Sequence, residues 1–362
     1  MLAIAISAIL FLLILIVLVL VHEAGHFAVA KAAGVKVLEF GLGFPPRLWG
    51  RQRGDTWYTI NAIPLGGFVK LLGEEDPSEP RSLAGKSTGV RFLVMAAGPF
   101  MNAMLALVLL SVLAAIPQQV VVGDVTVAQV VPSSPAQQAG ILPADIIAAV
   151  DGHPINNYGD LRYRVNLKLG AQTSWLIHRG SQALTFNLVP RFNPPQGQGA
   201  TGVVINTVNS RIESRAEPLW RAPIAGLQTM GDVVVLTKNE FSKWVTGGSA
   251  PQVTGPIGIA QVVGEVAQAP GFSIGERIIG TLNLAAVISL SLGIFNILPI
   301  PALDGGRILF VAIEWVRRGK RIPPKKEGLV HLVGLVLLLT LAVIITFGDL
   351  SRIFHGQSLL GG

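Results

Sequence analysis

Apolar and polar stretches alternate along this chain, and four of the apolar stretches are long enough to cross a lipid bilayer. They cover residues 2–21, 92–116, 278–298 and 329–346. A helix of about 20 apolar residues spans the ~30 Å hydrocarbon core of a membrane. The pattern therefore predicts a polytopic α-helical membrane protein with four transmembrane helices.

The first stretch is predicted to be a retained transmembrane helix rather than a cleaved signal peptide. No Lys or Arg precedes it, and it is longer than the roughly 7–15 residues of a signal-peptide core. The third stretch holds more polar residues and is followed by Pro299 and Pro301, which cannot continue a regular helix. The third transmembrane helix is therefore expected to be broken within Asn-Ile-Leu-Pro-Ile-Pro-Ala-Leu-Asp-Gly-Gly at 296–306.

Between the second and third stretches, residues 117–192 have the pattern of a small soluble module. Its predicted strands and helices fall at 120–131, 134–140, 146–150, 160–169, 175–177 and 183–189. We expect these elements to form a mixed α/β barrel. A linker should follow, with an amphipathic helix within 216–246.

These patterns divide the chain into four parts. They are a first membrane part with β-loops at 37–73, the soluble module, the linker with its amphipathic segment, and a second membrane part. Their predicted bounds are residues 1–116, 117–192, 193–275 and 276–362.

Composition supports the membrane assignment and removes several kinds of chemistry. Of 362 residues, 51% are hydrophobic and 14% are charged, whereas ordinary soluble domains carry roughly 25% charged residues. The chain has no cysteine. Disulfide frameworks, thiolate nucleophiles, iron–sulfur clusters and cysteine-ligated zinc are therefore excluded.

The positive charge is concentrated in two segments. The net charge is +7, from 28 Lys and Arg against 21 Asp and Glu. Nine of the basic residues lie in 31–91 and seven in 307–326, whereas the much longer stretch 117–277 has eleven. Because Lys and Arg accumulate in cytoplasmic loops of membrane proteins, the two dense segments are predicted to be cytoplasmic and the soluble module extracytoplasmic. No nucleic-acid partner is expected.

A metal-binding motif lies at the inner end of the first transmembrane helix. His22, Glu23 and His26 form an instance of His-Glu-x-x-His, in which two histidines one helical turn apart can bind one cation. Glu23 can reach a metal-bound water and act as general base. The motif also arises by chance in soluble helices, but ionisable residues at membrane depth are costly and usually functional. Imidazole ligands suit zinc, so the motif predicts a Zn²⁺ site.

A third ligand is expected because a catalytic zinc usually has three protein ligands and one open position. Asp304 follows the broken third helix, and Gly305 and Gly306 beside it permit unusual backbone conformations. The alternative is that Asp304 only caps the next helix. His331, in the fourth apolar stretch, is expected to have an interfacial role rather than to bind the metal.

Together these residues resemble the bacterial site-2 protease family, and in particular its RseP-like regulated intramembrane zinc metalloproteases. The resemblance rests on motifs that cover nearly the whole chain, at residues 22–26, 64–69, 98–102, 255–259 and 296–306. It implies that His22, His26 and Asp304 are the zinc ligands and that Glu23 is the catalytic base.

The same resemblance implies that Asn296 helps to hold the substrate backbone or polarises the scissile carbonyl. With Pro299 and Pro301, which leave backbone groups of the broken helix free, Asn296 makes up the expected substrate-binding set. In the resembled family, the segment 37–73 is a membrane-associated β-element. An exposed edge there could pair with an unwinding substrate helix; the alternative is a plain structural loop.

The soluble module resembles a single PDZ domain of the circularly permuted bacterial type. The resemblance rests on Ser-Pro-Ala-Gln-Gln-Ala-Gly at 134–140 and on residues 142–152. Some relatives in the family carry two such modules, whereas this chain has room for one. The string Gly-Leu-Gly-Phe at 41–44 matches the carboxylate-binding loop of PDZ domains, but it precedes the second transmembrane helix and lies outside the module.

The predicted function is that of a membrane metalloendopeptidase that cleaves transmembrane segments of single-span membrane proteins. The resemblance implies substrates such as anti-sigma factors and remnant signal peptides, already trimmed by an upstream site-1-type protease. It also implies a multi-pass protein in the lipid bilayer of the bacterial inner (plasma) membrane, with the PDZ domain on the periplasmic or extracellular side. Two alternatives stay open: a PDZ membrane scaffold with a structural metal, and a metal-ion transporter.

Overall fold

The computed structural model describes residues 2–74, 76–248 and 254–355. Parts of the predicted linker (249–253) and of the second membrane part (356–362) lie outside the described residues. The chain forms two compact units. We call residues 1–113 and 253–362 the membrane unit, and residues 114–252 the middle unit.

The described residues form helices in both units and two separate sheets. The helices are α1 (Leu2–Ala32), α2 (Thr88–Ala115), α3 (Pro135–Ala139), α4 (Tyr158–Leu167), α5 (Ala222–Val245), α6 (Pro256–Ala267), α7 (Ile274–Ile297), α8 (Asp304–Val316) and α9 (Pro324–Phe354). The strands are β1 (Val37–Arg53), β2 (Thr56–Leu71), β3 (Gln118–Val130), β4 (Ile146–Val150), β5 (His153–Pro154), β6 (Thr173–Arg179), β7 (Gln182–Leu188) and β8 (Val203–Arg215).

Among the described residues, four helices are long and apolar enough to cross a membrane: α1, α2, α7 and α9. The four predicted transmembrane stretches are thereby confirmed as helices of sufficient length and hydropathy. Helix α1 does not stop at the end of its apolar run, because it continues unbroken through the motif at 22–26 to Ala32. The motif is therefore held on a regular helix.

Helices α7 and α8 are separated by a short irregular segment. Helix α7 ends at Ile297 and α8 begins at Asp304, with Pro299 and Pro301 between them. Ala302 has a positive φ of 75°, and its backbone N–H donates to Nδ1 of His331 on α9 at 2.9 Å. The segment that leads to Asp304 is therefore tied to α9.

The sheet of the membrane unit is built from β1 and β2. Residues 39–42 of β1 have partners on both sides, because they pair with residues 57–60 and also with residues 67–70 of β2. The last part of β2, residues 67–71, has β1 as its partner among the described strands. It is therefore an edge strand.

The middle unit contains a six-stranded sheet with the order β7-β6-β4-β3-β8, in which β5 also pairs with β4. Its apolar core includes Val125, Ile147, Trp175 and Ile177, all 1% exposed or less. Among the described strands, β7 and β8 end the order and do not pair with each other. The sheet is therefore open, and the prediction of a barrel is wrong in that respect.

Strand β8 lies within the segment predicted as a linker. It pairs with β3 along its length, from Gln118 with Arg215 to Val130 with Val203. None of its residues is fully buried, and only residues 203–208 alternate between partly buried and exposed positions. Its strand signal in the sequence is therefore weak. Helix α5 falls inside the predicted amphipathic segment.

Candidate metal centre

The two histidines of the motif face one point in the membrane unit. His22 and His26 are four residues apart on α1, and each is 8% exposed. Their Nε2 atoms are 3.2 Å apart. The helical period of 3.6 residues explains this arrangement, since residues at i and i+4 lie on the same face.

Asp304 completes the group from the other end of the chain. Its Oδ2 atom lies 3.0 Å from Nε2 of His22 and 3.3 Å from Nε2 of His26. Asp304 is the first residue of α8, where the helix dipole favours a negative charge. The structure therefore brings together the three residues that the sequence analysis predicted as metal ligands.

The geometry of these three atoms fits a zinc ion. Two imidazole nitrogens and one carboxylate oxygen form a donor set that zinc commonly uses. Two ligands bound tetrahedrally at ~2.0–2.1 Å are roughly 3.3–3.4 Å apart, close to the observed separations of 3.0 to 3.3 Å. The group is a candidate metal site by this test.

Helix α2 packs closely against the rings of both histidines, and a glycine at residue 98 makes this close packing possible. A Cβ atom on Gly98 would lie 2.6 Å from Nε2 of His22 and would also overlap Nε2 of His26. Nδ1 of His26 donates to the backbone carbonyl of Val94 at 2.7 Å, and Nδ1 of His22 lies 3.2 Å from Nδ2 of Asn102. Helix α2 thus contacts Nδ1, the ring nitrogen that does not face Asp304, in each histidine.

The two glycines after Asp304 allow the preceding segment to pack against the start of α8. A Cβ atom on Gly306 would lie 2.5 Å from the carbonyl oxygen of Ile300, and one on Gly305 would overlap the carbonyl of Leu298. Close backbone contact of this kind requires glycine. Gly305 and Gly306 therefore help to set where Asp304 enters the site.

A cavity of about 530 Å³ opens beside the three ligand atoms. Glu23 lines it together with His22, His26 and Asp304. Residues 67–71, the edge strand of β2, form another wall, and Cγ of Glu23 lies 3.5 Å from the position of a Cβ atom on Gly67. The cavity thus places a carboxylate, the candidate metal ligands and an open strand edge next to one another.

The predicted substrate-binding residues are not among the described residues that line this cavity. Asn296 is half-buried in the last turn of α7, and Pro299 and Pro301 lie in the segment between α7 and α8. Among the described residues, the cavity wall from that segment is formed by Ala302 and Asp304. The roles of Asn296, Pro299 and Pro301 stay predictions.

Three residues that contact the candidate ligands or the segment before Asp304 were not predicted as catalytic, metal-binding or substrate-binding residues: Gly98, Asn102 and His331. Gly98 and Asn102 belong to the motif at 98–102, whose function the sequence alone does not reveal. His331, predicted to have an interfacial role, accepts a hydrogen bond from Ala302. A buried polar residue within an apolar run was the available signal for Asn102, because membrane-depth polarity usually has a partner.

Two histidines and one aspartate that converge on one point form a donor set that zinc-dependent hydrolases commonly use. Residues 10–341 match the sequence model of the family described as peptidase family M50. The chain therefore belongs to peptidase family M50, the site-2 protease family, as the resemblance implied.

Individual relatives extend over nearly the whole chain. A Clostridium perfringens protein named as a zinc metalloprotease is 37% identical, covering 94% of this chain and 97% of its own length. A Rhizobium meliloti protein named in the same way is 35% identical, covering 95% of this chain and 96% of its own length. Zinc metalloprotease RasP of Oceanobacillus iheyensis is 28% identical, covering 96% of this chain and 99% of its own length. The chain is thus a metalloprotease, and its cofactor is Zn²⁺.

Proposed function

We propose that this protease is an intramembrane zinc endopeptidase in which His22, His26 and Asp304 hold Zn²⁺ and Glu23 is the catalytic base. The proposal is carried by the triangle of two Nε2 atoms and one Oδ2 atom beside a cavity that Glu23 also lines. Zn²⁺ bound there acts as a Lewis acid that polarises a scissile carbonyl and acidifies water. The site lies on a helix long enough to cross the membrane.

Glu23 has the position that a proton-transfer group needs. It lies in the same cavity as the metal ligands, but its side chain starts from a different face of α1 because it is adjacent in sequence to His22. In the proposed reaction, Glu23 takes a proton from the attacking water and gives it to the leaving amine. Asn296, Pro299 and Pro301 are proposed to hold the substrate next to this carboxylate.

The edge strand of β2 is proposed to hold the substrate in an extended form. Each peptide bond of a transmembrane helix is shielded by its own hydrogen bonds, so the helix must unwind before water can attack. Residues 67–71 form both an edge of the sheet and a wall of the cavity. A substrate strand added to this edge would pass Glu23 and the metal ligands.

We propose that the substrates are transmembrane segments of single-span membrane proteins, such as anti-sigma factors and remnant signal peptides. An upstream site-1-type protease is proposed to trim them first. The middle unit is proposed to contain a PDZ domain that selects the trimmed proteins. The outer edge of β8, which no other described strand pairs with, supports this role, because PDZ domains bind extended peptides by strand addition at a sheet edge.

The proposed location is the bacterial inner membrane, with the PDZ domain on the periplasmic or extracellular side. The dense basic segments at 31–91 and 307–326 support this orientation. Reporter fusions after Gly73 and Gly197 test it. We expect the two reporters to lie on opposite sides of the membrane, and reporters on the same side would contradict the proposed topology.

The function is tested by zinc analysis and cleavage of a short transmembrane substrate by the purified full chain in detergent. Glu23→Gln keeps the shape of the side chain but cannot take up a proton. We expect it to retain zinc and to lose about 10²–10⁴-fold in cleavage rate. A Glu23→Gln protein that cleaves at the wild-type rate would refute the role of Glu23.

Glu79→Gln is the matched control, because Glu79 is an exposed carboxylate in the loop between β2 and α2. It should leave both zinc content and cleavage unchanged. The two alternative functions give other results. A scaffold would be indifferent to Glu23→Gln, and a metal-ion transporter would change its metal flux instead of a cleavage rate.

A further inference from the structure

The two ring nitrogens of His22 have different neighbours. Nε2 faces Asp304 and His26, whereas Nδ1 lies 3.2 Å from the side-chain amide of Asn102. A neutral imidazole that binds a metal through Nε2 carries its proton on Nδ1. When His22 is a ligand, its Nδ1 is therefore a hydrogen-bond donor and requires an acceptor.

Asn102 can supply that acceptor. Asn102 lies on α2 and its side chain is fully buried. Its Oδ1 atom has no hydrogen-bond partner among the described residues. The atom that faces Nδ1 of His22 is Nδ2, so two donors would point at each other in the ligand state. Rotating the amide by 180° exchanges its two ends and pairs the unpartnered oxygen with the N–H of His22.

His26 has an acceptor of another kind in the same position. Its Nδ1 lies 2.7 Å from the backbone carbonyl of Val94, and a carbonyl oxygen can only accept. Val94 and Asn102 both belong to α2. Helix α2 thus offers an acceptor behind each histidine, but only the acceptor behind His22 is a side chain that a substitution can remove.

We propose that Asn102 is a positioning residue that accepts a hydrogen bond from Nδ1–H of His22. This bond fixes the tautomer and the ring orientation that the metal site requires. The inference rests on the proposed role of His22 as a ligand. Outer partners of metal-binding histidines typically change metal affinity by ~10–100-fold, so the effect is large enough to measure.

The test is the zinc affinity of the purified full chain in detergent, measured by competition with a chromogenic chelator. Asn102→Leu has nearly the same size but no acceptor, and we expect a loss of about 10–100-fold. Asn102→Asp keeps an acceptor and lacks the amide NH₂, and its affinity should equal or exceed that of the wild type. The Co²⁺-loaded Asn102→Leu protein should also have a changed visible absorption spectrum, because the His22 ring is no longer held.

Ser289→Ala is the control for a merely structural role. The Ser289 hydroxyl donates to the backbone carbonyl of Asn102 at 2.8 Å and is fully buried. Its removal weakens the contact between α7 and α2 but leaves the Asn102 amide in place. We expect Ser289→Ala to lower the thermal stability without a change in zinc affinity.

Equal zinc affinities of the wild type and Asn102→Leu would overturn the inference. If Asn102→Leu does not fold, Asn102→Ala removes the same acceptor in a smaller side chain and should show the same loss of zinc affinity, and an unchanged affinity there would equally overturn the inference. A tenfold or larger loss in Asn102→Asp would mean that His22 needs the NH₂ end, which contradicts the proposal. A wild-type chain that binds no zinc would instead overturn the proposed metal site, so the two failures are distinguishable.

Discussion

Two aspartates, the buried Asp145 of the middle unit and the partly buried Asp304 of the membrane unit, have different partners. Asp145 in the middle unit is 1% exposed and accepts hydrogen bonds from two nitrogens of Arg179, at 2.7 and 2.8 Å, and from the backbone N–H of Leu142. Asp304 in the membrane unit faces the Nε2 atoms of His22 and His26. A guanidinium only donates hydrogen bonds, whereas a neutral imidazole has a lone pair that can bind a metal.

The comparison shows that the partners of an aspartate determine whether its carboxylate stabilises the fold or binds a metal. The Asp145 pair fixes a turn in the middle unit, because its hydrogen bonds join residues 142–145 to β6. The Asp304 group concentrates three metal-binding atoms and does not include a permanently charged donor. Loss of Asp145 should therefore reduce stability, and loss of Asp304 should reduce metal binding.

The largest expected effect is that of Asp304→Asn. An amide lacks the negative charge of the ligand, so zinc affinity should fall by more than the ~10–100-fold that an outer partner contributes. Cleavage should be lost in parallel. Chelator competition and zinc analysis on the purified chain check this result, and an Asp304→Asn protein with full zinc content would show that Asp304 is not a ligand.

Gly98→Ala should have the next largest effect. The added methyl group would lie 2.6 Å from Nε2 of His22, and overpacking of this kind costs about 1–3 kcal/mol. If the cost falls on the metal-bound state, zinc affinity drops roughly 5- to 150-fold. Gly89→Ala is the matched control on the same helix, because a Cβ atom there has no neighbour within 4 Å. Equal zinc affinities in the two variants would show that a methyl group at residue 98 does not strain the metal-bound site.

Asp145→Asn should act on the middle unit and leave the metal centre unchanged. The substitution leaves the partly exposed Arg179 without its charged partner and weakens the hydrogen bonds that the buried Asp145 side chain accepts, which costs about 1–3 kcal/mol. Hydrogen exchange of β4 and β6 in the full chain should therefore speed up. Zinc content should match that of the wild type, and a loss of zinc would contradict the separation of the two aspartates.

The same pair gives a smaller effect that depends on pH. Burial raises the pKa of Asp145, but hydrogen bonds from Arg179 and from the Leu142 N–H outweigh it and hold the pKa below its ordinary value. A carboxylate with a lowered folded-state pKa stabilises the fold above its unfolded pKa of about 3.9. This contribution is lost as the pH falls through the lower folded-state pKa.

Hydrogen exchange of β4 and β6 measured between neutral pH and pH 3 tests this dependence after correction for the intrinsic exchange rate. The wild type should lose protection at the acidic end. Asp145→Asn has no carboxylate at this position and should show a smaller change over the same range. Equal pH dependence in the two proteins would contradict the role of the Asp145 carboxylate.

Much of the fold could be predicted because its signals are local. Four apolar runs indicated the four long helices, and the β-branched segment at 146–150 corresponds to β4. Strand β8 was missed because only Val203 and Ile205 at its start pack against the core, and the rest of the strand is defined by its pairing with β3. The open order of the sheet also depends on which strands meet, and no local pattern encodes that.

The candidate site likewise contains residues that the sequence predicts and residues that only the packing of the helices reveals. His22, Glu23 and His26 follow from a motif within one helix, and Asp304 from an acid beside a broken helix. The contacts of Gly98 and Asn102 depend on how closely α2 approaches α1, which the sequence of either helix does not specify. Asn296, predicted to bind substrate, lies at the end of α7 and outside the cavity wall.

The most direct test of the metal centre is zinc X-ray absorption spectroscopy on the purified full chain, together with zinc analysis. We expect one zinc ion for each chain, four nitrogen or oxygen ligands at ~2.0–2.1 Å and the scattering pattern of two imidazoles. In His22→Ala, one imidazole or the whole ion should be lost. A zinc environment without two imidazoles, or one that His22→Ala leaves unchanged, would contradict the assignment of His22, His26 and Asp304 as ligands.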